Sequence, residues 1–372
     1  MVTTHLTINR LRTTGVNVPM VRPLQTSGGS VSSAPFVLVD LETSQGITGH
    51  AYIFCYATRF IAPLRALLES LNEVISGSPV APLALEEKLQ AVFRLAGPVG
   101  VSGWAMAGID MAAWDSLAKE AGKPLASLLG GEVRPIPAYD SRGLGIAPQQ
   151  TPLAKIPRLI ADQAGELAKD GLAGIKVRLG YPAANMDLEV VQAVRSALPP
   201  DMPLMCDYNQ SLSIPEARQR MALLRDTGLT WIEEPTRWDD YAGHARIRDN
   251  APLNIQLGEN CWGANDMEKA MSAGAMDFFM PDLGKIGGVT GWTRAMGLAT
   301  PAGLPLSSHL FPEVSAHLLA VTPTRHWLEY VDWAEPILAE GMKFQDGHAL
   351  PSTLPGSGIT WNEQAIAKYT MA

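Results

Sequence analysis

The stretch MPLMCDYNQSLSIPEARQRMALLRDTGLTWIEEP, residues 202–235, contains a strand-like segment, a helical segment and a second strand-like segment. The helical segment has Pro215 near its start and Gly228 just past its end, which is the preferred placement of these residues in helices. Each strand-like segment ends near a carboxylate, Asp207 in the first and Glu233 in the second. Strands that alternate with helices in this way are typical of a parallel sheet.

The same alternation runs from Pro135 to about residue 330. Eight apolar, strand-like segments recur, and helical segments separate several of them: IPAYDS, AGIKVRL, MPLMCDYN, LTWIEEP, NIQLGEN, DFFMPDL, LPLSSHL and HWLEYVD. Eight such units over about 200 residues predict a parallel (β/α)8-type barrel. A doubly wound open sheet is the alternative, but no GxGxxG motif follows an early strand.

The composition excludes several classes of function. The 372 residues carry a net charge of −8 without a basic run, so we expect no nucleic-acid partner. We also expect a cytoplasmic protein with no membrane partner, because we find neither a signal-peptide core nor an apolar run of about 18 residues. The three cysteines, Cys55, Cys206 and Cys261, form no CxxC pattern and are expected to be buried, reduced thiols.

A polar residue stands at or near the carboxyl end of each strand-like segment. From Asp207, the steps to the next four of these residues are 26, 26, 23 and 27, or one strand–helix unit each. The carboxyl ends of barrel strands converge on one face, where the active site lies. The spacing therefore gathers Ser141, Lys176, Arg178, Asp207, Asn209, Glu233, Glu259, Asp282, His309 and Glu329.

Asp207, Glu233 and Glu259 end three consecutive segments. Converging carboxylates repel one another and raise each other's pKa unless a cation lies between them. Ligation by oxygen alone favours Mg2+, with Mn2+ as the alternative, and no His or Cys keeps the same spacing for zinc. Ordinary surface or helix-capping charges are the competing interpretation, against which the common register of the three argues.

The next two strand ends carry Asp282 and His309. A carboxylate beside a histidine fixes its tautomer and raises its basicity, so the pair predicts a general acid/base, whereas the other histidines are expected to be structural. Lys176 and Arg178 point to one face of their strand and predict an anionic partner, with a structural ion pair as the alternative. Glu329 would donate a hydrogen bond if burial kept it protonated.

The motifs AGIKVRLGYP, CDYNQSL, WIEEP, LGEN, MPDLGKIGGVTGW, SSHLF and HWLE together resemble those of the enolase superfamily, mandelate racemase subgroup. The resemblance implies an α/β fold with three parts. These are an N-terminal α+β capping domain (residues 1–130), a (β/α)7β TIM-like barrel (131–350) and a C-terminal segment (351–372) that returns to the capping domain. It also implies Mg2+, a small-molecule carboxylate substrate and, by analogy, a homo-oligomer such as an octamer.

The resemblance assigns Asp207, Glu233 and Glu259 to the metal and further roles to the residues around them. His309 with Asp282 would be the general acid/base, Glu329 the acid that hydrogen-bonds the substrate carboxylate, and Lys176 the cation beside it. Arg178 is a departure, because a racemase of this family carries a lysine there as the base for one enantiomer. Arginine has a reference pKa of about 12.5–13.8 against about 10.4 for lysine, which argues against a second base.

The resemblance also outlines a substrate pocket. Ser141 and Asn209 are expected near the substrate, and a loop at residues 23–35 is expected to cover it. The apolar lining suits an aryl or aliphatic 2-hydroxy acid, while polar residues in the loop leave an acid sugar open. The matching lining positions are Leu24, Val31, Phe54, Tyr56, Leu310 and Val331.

We therefore expect an enzyme that abstracts the α-proton of a 2-hydroxy carboxylate through an enediolate intermediate. A racemase of an aryl or aliphatic 2-hydroxy acid is the first interpretation. An acid-sugar dehydratase with His309 as the single acid/base is the second. A non-catalytic binding relative is the third, and the retained metal and acid/base residues argue against it.

Overall fold

The capping domain is an α+β unit in the computed structural model, which describes residues 6–147, 150–249 and 251–371. Its three strands form an antiparallel meander of β1 (Ile8–Thr26), β2 (Gly29–Thr43) and β3 (Thr48–Phe54). The helices that follow are α1 (Ile61–Ser70), α2 (Asn72–Ile75), α3 (Pro82–Val92), α4 (Val101–Glu120) and α5 (Leu125–Leu128). This arrangement agrees with the predicted α+β pattern.

Helix α4 holds the capping domain together because it is buried on nearly every side. Its sequence is rich in alanine and glycine, and a helix that is apolar all round is suited to a core position. Strand β3 lies so close to it that a Cβ at Gly49 would collide with the carbonyl oxygen of Ala112. The small residues of α4 therefore set the distance between helix and sheet.

The barrel is a closed ring of parallel members. Within the described residues its strands are β4 (Ile136–Asp140), β5 (Gly174–Arg178), β6 (Leu204–Asp207), β7 (Leu229–Glu233), β8 (Ile255–Leu257), β9 (Phe278–Phe279) and β10 (Leu328–Tyr330). Strands β4 to β9 pair in chain order, and β10 pairs with β4. Leu306 bridges Phe279 on one side and Arg325 on the other, so its segment is the eighth member.

Helices connect the members of the ring. They are α6 (Ile156–Leu167), α7 (Ala184–Ala197), α8 (Ile214–Leu224), α9 (Tyr241–Arg248), α10 (Gly263–Ser272), the short α11 (Leu283–Ile286), α12 (Gly288–Ala302) and α13 (Pro312–Val321). Ser213 and Glu216 form a reciprocal capping box at the start of α8, with Pro215 in the first turn. No α-helix follows β10 before residue 363 of the described chain, so the (β/α)7β prediction is confirmed.

The C-terminal residues return to the capping domain. A hairpin of β11 (Lys343–Gln345) and β12 (His348–Leu350) first pairs with the start of β4. Helix α14 (Glu363–Tyr369) then packs on β1, where the Met371 N–H donates to the Gly15 carbonyl at 2.9 Å. These contacts agree with the expected return of the chain, while the domain limits at residues 130 and 350 stay a prediction.

Aromatic side chains fill the barrel interior beneath its mouth. The Trp231 ring lies edge-on to those of Tyr139 and Phe278, with ring centroids 5.5 and 6.0 Å away. The Trp231 Nε1–H donates to Glu233 at 3.3 Å. The site at the mouth therefore has an apolar, tightly packed floor, in which carboxylates are poorly solvated.

Two further expectations concern the chain as a whole. All three cysteines are buried and free, as predicted. Among the described residues, no helix has the length and apolar character needed to cross a membrane. The cytoplasmic location stays a prediction.

Asp115 joins three parts of the fold through one buried carboxylate. It accepts hydrogen bonds from the backbone N–H of His50 at 2.8 Å and from the N–H and hydroxyl of Ser357 at 2.7 and 2.8 Å. Lys119 balances its charge at 2.6 Å. Helix α4, strand β3 and the C-terminal segment are therefore held together at this point.

We expect Asp115→Ala to lower the free energy of unfolding by roughly 3–5 kcal/mol, because it leaves buried donors and a cation without their partner. Urea denaturation followed by circular dichroism measures the change. Asp162→Ala on α6 is the control, since Asp162 forms an exposed ion pair with Arg158 and should change stability by less than about 0.5 kcal/mol. Equal effects of the two substitutions would contradict this role of Asp115.

Candidate active site

Three carboxylates meet at the barrel mouth and form what we call the acidic trio: Asp207, Glu233 and Glu259. Asp207 and Glu233 end neighbouring strands and pair in register, and Glu259 lies two residues beyond β8. The three side chains are buried, and each offers an oxygen within 4.8 Å of the others. Three converging oxygens fit a small, hard divalent cation. The three residues thus lie together as their spacing predicts, and their role as metal ligands stays a prediction.

Burial and mutual repulsion shift the pKa values of the acidic trio. Burial raises the pKa of Glu233 to about 8, against the opposing charge of Lys176, and burial also raises the pKa of Asp207. Burial alone would raise the pKa of Glu259, but His309 and neighbouring ammonium groups lower it. The trio therefore holds more negative charge than its surroundings balance, which is the condition that a divalent cation relieves.

Lys176 lies buried among the carboxylates. Its ammonium donates to Glu233 at 2.8 Å and to Glu329 at 2.7 Å, and lies 3.6 Å from Asp207. Burial would lower the pKa of Lys176, but these three carboxylates raise it above its ordinary value. Lys176 is therefore a fixed cation at the centre of the site.

Arg178 ends the same strand and is also buried. Its Nη2 donates to the Ser141 hydroxyl at 3.2 Å and its Nη1 to the Ser141 carbonyl at 3.4 Å. Its Nε is buried without a hydrogen-bond partner among the described residues. Two oxygens of Ser141 thus accept hydrogen bonds from this side chain, and a guanidinium is in general better suited to binding an anion than to acting as a base.

His309 and Asp282 are paired as predicted. The two residues form a parallel bridge, and His309 Nδ1 lies 2.7 Å from Asp282 Oδ2. The other ring nitrogen, Nε2, lies 3.3 Å from Glu259 Oε2 at the acidic trio. Burial lowers the pKa of His309, but Glu259, Glu329 and Asp282 raise it to about 9. Asp282 thus orients His309 as an acid/base, and the second ring nitrogen of His309, Nε2, faces the site.

The carboxyl group of Glu329 lies next to cationic side chains. Burial alone would raise its pKa, but Lys176 and His309 lower it to about 2, so the carboxylate is ionised. It accepts hydrogen bonds from Lys176 and from the Leu310 N–H, the latter at 3.0 Å. The hydrogen bond that Glu329 would donate to a substrate if it were protonated stays a prediction.

Asn209 and the expected lid add local detail. Asn209 has a left-handed backbone, and its backbone and side-chain N–H groups donate to Asp207 at 2.7 and 2.8 Å, which orients that carboxylate. Leu24 and Val31 are a cross-strand pair. The predicted loop at residues 23–35 is in fact the end of the β1–β2 hairpin, with a turn after Thr26, because serine and glycine still pair when extended strands support them.

The remaining lining positions come from both domains. Phe54, Leu310 and Val331 are buried, whereas Tyr56 is 36% exposed at the end of β3. The Phe54 ring lies 4.7 Å from that of Tyr56 and 5.2 Å from that of Trp333, by ring centroids. An aromatic, apolar wall thus stands at the junction of capping domain and barrel.

Sequence reasoning missed three polar residues at the mouth: the buried Glu234 and Lys285 and the half-buried Asn260. Glu234 and Asn260 directly follow members of the acidic trio, and Lys285 comes three residues after Asp282. The Asn260 amide donates to Glu234 at 2.8 Å and accepts from Lys285 at 2.6 Å. Their position next to strand-end carboxylates was the available signal.

Family models match both parts of the chain. Residues 9–130 match the mandelate racemase / muconate lactonizing enzyme N-terminal domain, and residues 159–365 match the enolase C-terminal domain-like family. The chain belongs to the enolase superfamily. The predicted mandelate racemase and muconate lactonizing enzyme group and the predicted fold class are confirmed.

Curated relatives in this superfamily carry more than one activity. The L-talarate/galactarate dehydratase of Salmonella typhimurium is 34% identical over 269 residues, which cover 72% of this chain and 66% of that protein. The 3,6-anhydro-alpha-L-galactonate cycloisomerase of Streptomyces coelicolor is 28% identical over 369 residues, or 98% of this chain and 99% of that protein. The chain is thus similar to both lyases and isomerases.

A solved relative shows the ligands of one such site. An enolase from Bradyrhizobium, complexed with magnesium and mandelic acid, is 42% identical, has a TM-score of 0.92 and aligns over 100% of both chains. This relative contains magnesium, and the present chain has a buried acidic group able to hold a metal ion. These two observations confirm the prediction of Mg2+ as the cofactor.

The metal-free protein should lose stability as the pH rises from 5 to 9. Glu233, with a pKa raised to about 8, and His309, with a pKa raised to about 9, both hold their protons more tightly in the folded state than in the unfolded one. Glu329, with a pKa lowered to about 2, is ionised in both states throughout this window and adds no slope. Mg2+ should stabilise the protein more at pH 8 than at pH 5, because binding displaces protons.

Thermal denaturation in EDTA and in Mg2+ across this pH range measures both effects. Glu233→Gln is the control, because it removes one titrating carboxyl. It should reduce the pH dependence in EDTA and most of the stabilisation by Mg2+. If wild type and variant show the same pH dependence and the same Mg2+ response, the acidic trio is not the metal site.

Proposed function

We propose that this protein is a Mg2+-dependent enzyme that removes the α-proton of a 2-hydroxy carboxylate, with His309 as the base. The observation that carries the proposal is the 2.7 Å contact of His309 Nδ1 with Asp282, combined with a second ring nitrogen, Nε2, that faces the acidic trio. The magnesium and mandelic acid of the Bradyrhizobium relative support the metal and the class of substrate.

Each polar residue then has a distinct part. Asp207, Glu233 and Glu259 would hold Mg2+, which when bound offsets the negative charge that develops on the substrate carboxylate as the α-proton leaves. Lys176 keeps its proton and neutralises the same carboxylate. The residue that moves the proton, His309, accepts it on Nε2.

Asp282 makes this proton transfer favourable. It accepts from His309 Nδ1, so the tautomer is fixed and the imidazolium that forms is stabilised. Glu259 raises the pKa of His309 while it is charged. Once the charge of Glu259 is neutralised, the imidazole is free to accept a proton near neutral pH.

We propose dehydration as the outcome, because the other side of the mouth presents cations. Lys176 and Arg178 lie on β5, across the ring from the His309 segment, and both are held as donors. With one base, the α-proton and the 3-hydroxyl of a 2,3-dihydroxy acid leave together as water, His309 carrying the proton between them. The enol that remains tautomerises to a 2-keto-3-deoxy acid. The 34% identity to the L-talarate/galactarate dehydratase supports this outcome.

Racemisation of an aryl or aliphatic 2-hydroxy acid is the second candidate. The Bradyrhizobium relative in complex with mandelic acid favours it, and so does the apolar wall of Phe54, Leu310 and Val331. This reaction needs a proton exchange on the face opposite His309, where Arg178 would have to act as an acid and a base. The two candidates therefore differ in a measurable way.

Proton exchange in D2O separates the candidates. With Mg2+, we expect α-hydrogen exchange in one enantiomer of an accepted 2-hydroxy acid, followed by proton NMR. His309→Asn should slow it by about 10²–10⁴-fold, the usual value of general base catalysis. Arg178→Lys is the matched variant, because its amine can be tuned as a base, and exchange of the second enantiomer should rise.

A parallel screen of acid sugars and aryl 2-hydroxy acids identifies the product. A 2-keto acid product, trapped with semicarbazide, supports dehydration, whereas loss of optical rotation without a keto product supports racemisation. Equal exchange of both enantiomers in the wild type would overturn the one-base mechanism. Exchange that persists in His309→Asn would place the base elsewhere.

A further inference from the structure

Lys285 connects the acid/base pair to the capping domain. Asp282 caps helix α11, accepting the backbone N–H of Lys285 at 3.1 Å on Oδ1 while its Oδ2 contacts His309. One carboxylate thus fixes both the general base and the start of the turn that carries Lys285. The side chain of Lys285 extends from this turn and is only 6% exposed.

The ammonium of Lys285 has an unusual set of neighbours. It donates to the Asn260 amide oxygen at 2.6 Å and lies 4.6 Å from the centroid of the Tyr56 ring. No carboxylate oxygen of the described residues lies within the 4.0 Å of an ion pair. The direct contacts of this buried cation are thus an uncharged amide and a ring face, while the carboxylates of Glu234 and Glu259 act on it from a greater distance.

Lys285 sets the orientation of the Asn260 amide. Because the oxygen of that amide accepts from the ammonium, its NH2 group points the other way, and it donates to Glu234 at 2.8 Å and to Glu259 at 3.1 Å. The reversed amide would place donors against the ammonium and an acceptor against two carboxylates. Lys285 therefore controls which hydrogen bond Glu259, a member of the acidic trio, receives.

Tyr56 completes the connection from the side of the capping domain. Its ring stacks on Trp104 of α4 with centroids 5.8 Å apart, and it also contacts the Phe54 ring and the Lys285 ammonium. Its backbone is left-handed with φ of 58°, which costs free energy in a non-glycine residue and persists where surrounding contacts hold it. The position of Tyr56 is therefore set by the packing of the capping domain.

We propose that Lys285 is a positioning residue that couples the seating of Tyr56 to the metal affinity of the acidic trio, through Asn260 and Glu259. Its side chain acts through its contacts with the Asn260 amide and the Tyr56 ring. This inference rests on the proposed Mg2+ site but not on the reaction that follows. Contacts to metal-ligating side chains typically change metal affinity by about 10–100-fold when removed.

Calorimetric titration of the metal-free protein with Mg2+ tests the coupling without any substrate. Lys285→Met keeps the apolar stem and removes the charge, so we expect about 10–100-fold weaker Mg2+ binding, and Lys285→Arg should restore part of it. Tyr56→Leu should weaken binding in the same direction, whereas Tyr56→Phe keeps the ring face and should bind more tightly than Tyr56→Leu. Near-ultraviolet circular dichroism confirms that each variant is folded.

Two comparisons separate positioning from general stability. Lys119→Met removes a different ammonium, anchored on Asp115 and the Thr48 carbonyl, and should lower the melting temperature without changing Mg2+ affinity. The double variant of Lys285→Met and Tyr56→Leu should bind no more weakly than Lys285→Met alone, because both act through one contact.

Each outcome decides one claim. A wild-type protein that binds no Mg2+ overturns the proposed metal site and the coupling with it. A wild type that binds Mg2+ while Lys285→Met binds it equally well overturns the coupling alone, and so does a fully additive double variant. Weakened binding in Lys119→Met of the same size as in Lys285→Met would also overturn it, since the effect would then be one of stability.

Discussion

The balance of charge among buried carboxylates at the barrel mouth is the constraint on which the rest of the structure depends. Asp207, Glu233, Glu259 and Glu329 are buried above an apolar aromatic floor, where ionised groups are costly unless cations compensate them. Lys176 supplies one such cation from within the group. The shifts of Glu233 and Glu329 in opposite directions show how incomplete this compensation is without a metal. The barrel mouth therefore carries an excess of negative charge, which a divalent cation would balance.

Both domains contribute side chains to the site, and residues with left-handed backbones lie around it. The barrel supplies the charged groups at its strand ends, and both domains contribute to the apolar wall, with Phe54 from the capping domain and Leu310 and Val331 from the barrel. Several non-glycine residues with left-handed backbones follow strand ends, namely Tyr56, Asn209, Gln210, Glu234, Leu310 and Phe311. Such turns let a side chain or N–H point back over the mouth, as the Leu310 N–H does toward Glu329. Local strain at these positions is thus tied to the direction in which polar groups face.

Some of this site could be predicted from the sequence, because the strand–helix unit is a physical repeat. The steps from Asp207 to His309 match one unit each, so the acidic trio and the acid/base pair follow from spacing. Contacts between domains have no such period, which is why the link from Lys285 to Tyr56 was missed. The contact of Glu329 with Lys176 was missed too, because burial can be inferred from a strand end, whereas the position of the Lys176 ammonium cannot.

The presence of an arginine at position 178, where a lysine could act as a base, decides which reaction this site can support. Deprotonating an arginine in water at pH 7 costs roughly 7–9 kcal/mol, against about 4–5 kcal/mol for a lysine, and burial beside other cations can lower a lysine further. Enzymes lower activation barriers by about 8–23 kcal/mol in total. The cost of deprotonating an arginine would therefore offset much of that stabilisation. Arg178 donates two hydrogen bonds to Ser141, which fix the direction of its guanidinium. A guanidinium there can hold an anion or polarise a leaving hydroxyl without giving up its proton, and both roles are compatible with chemistry on a single face of the substrate.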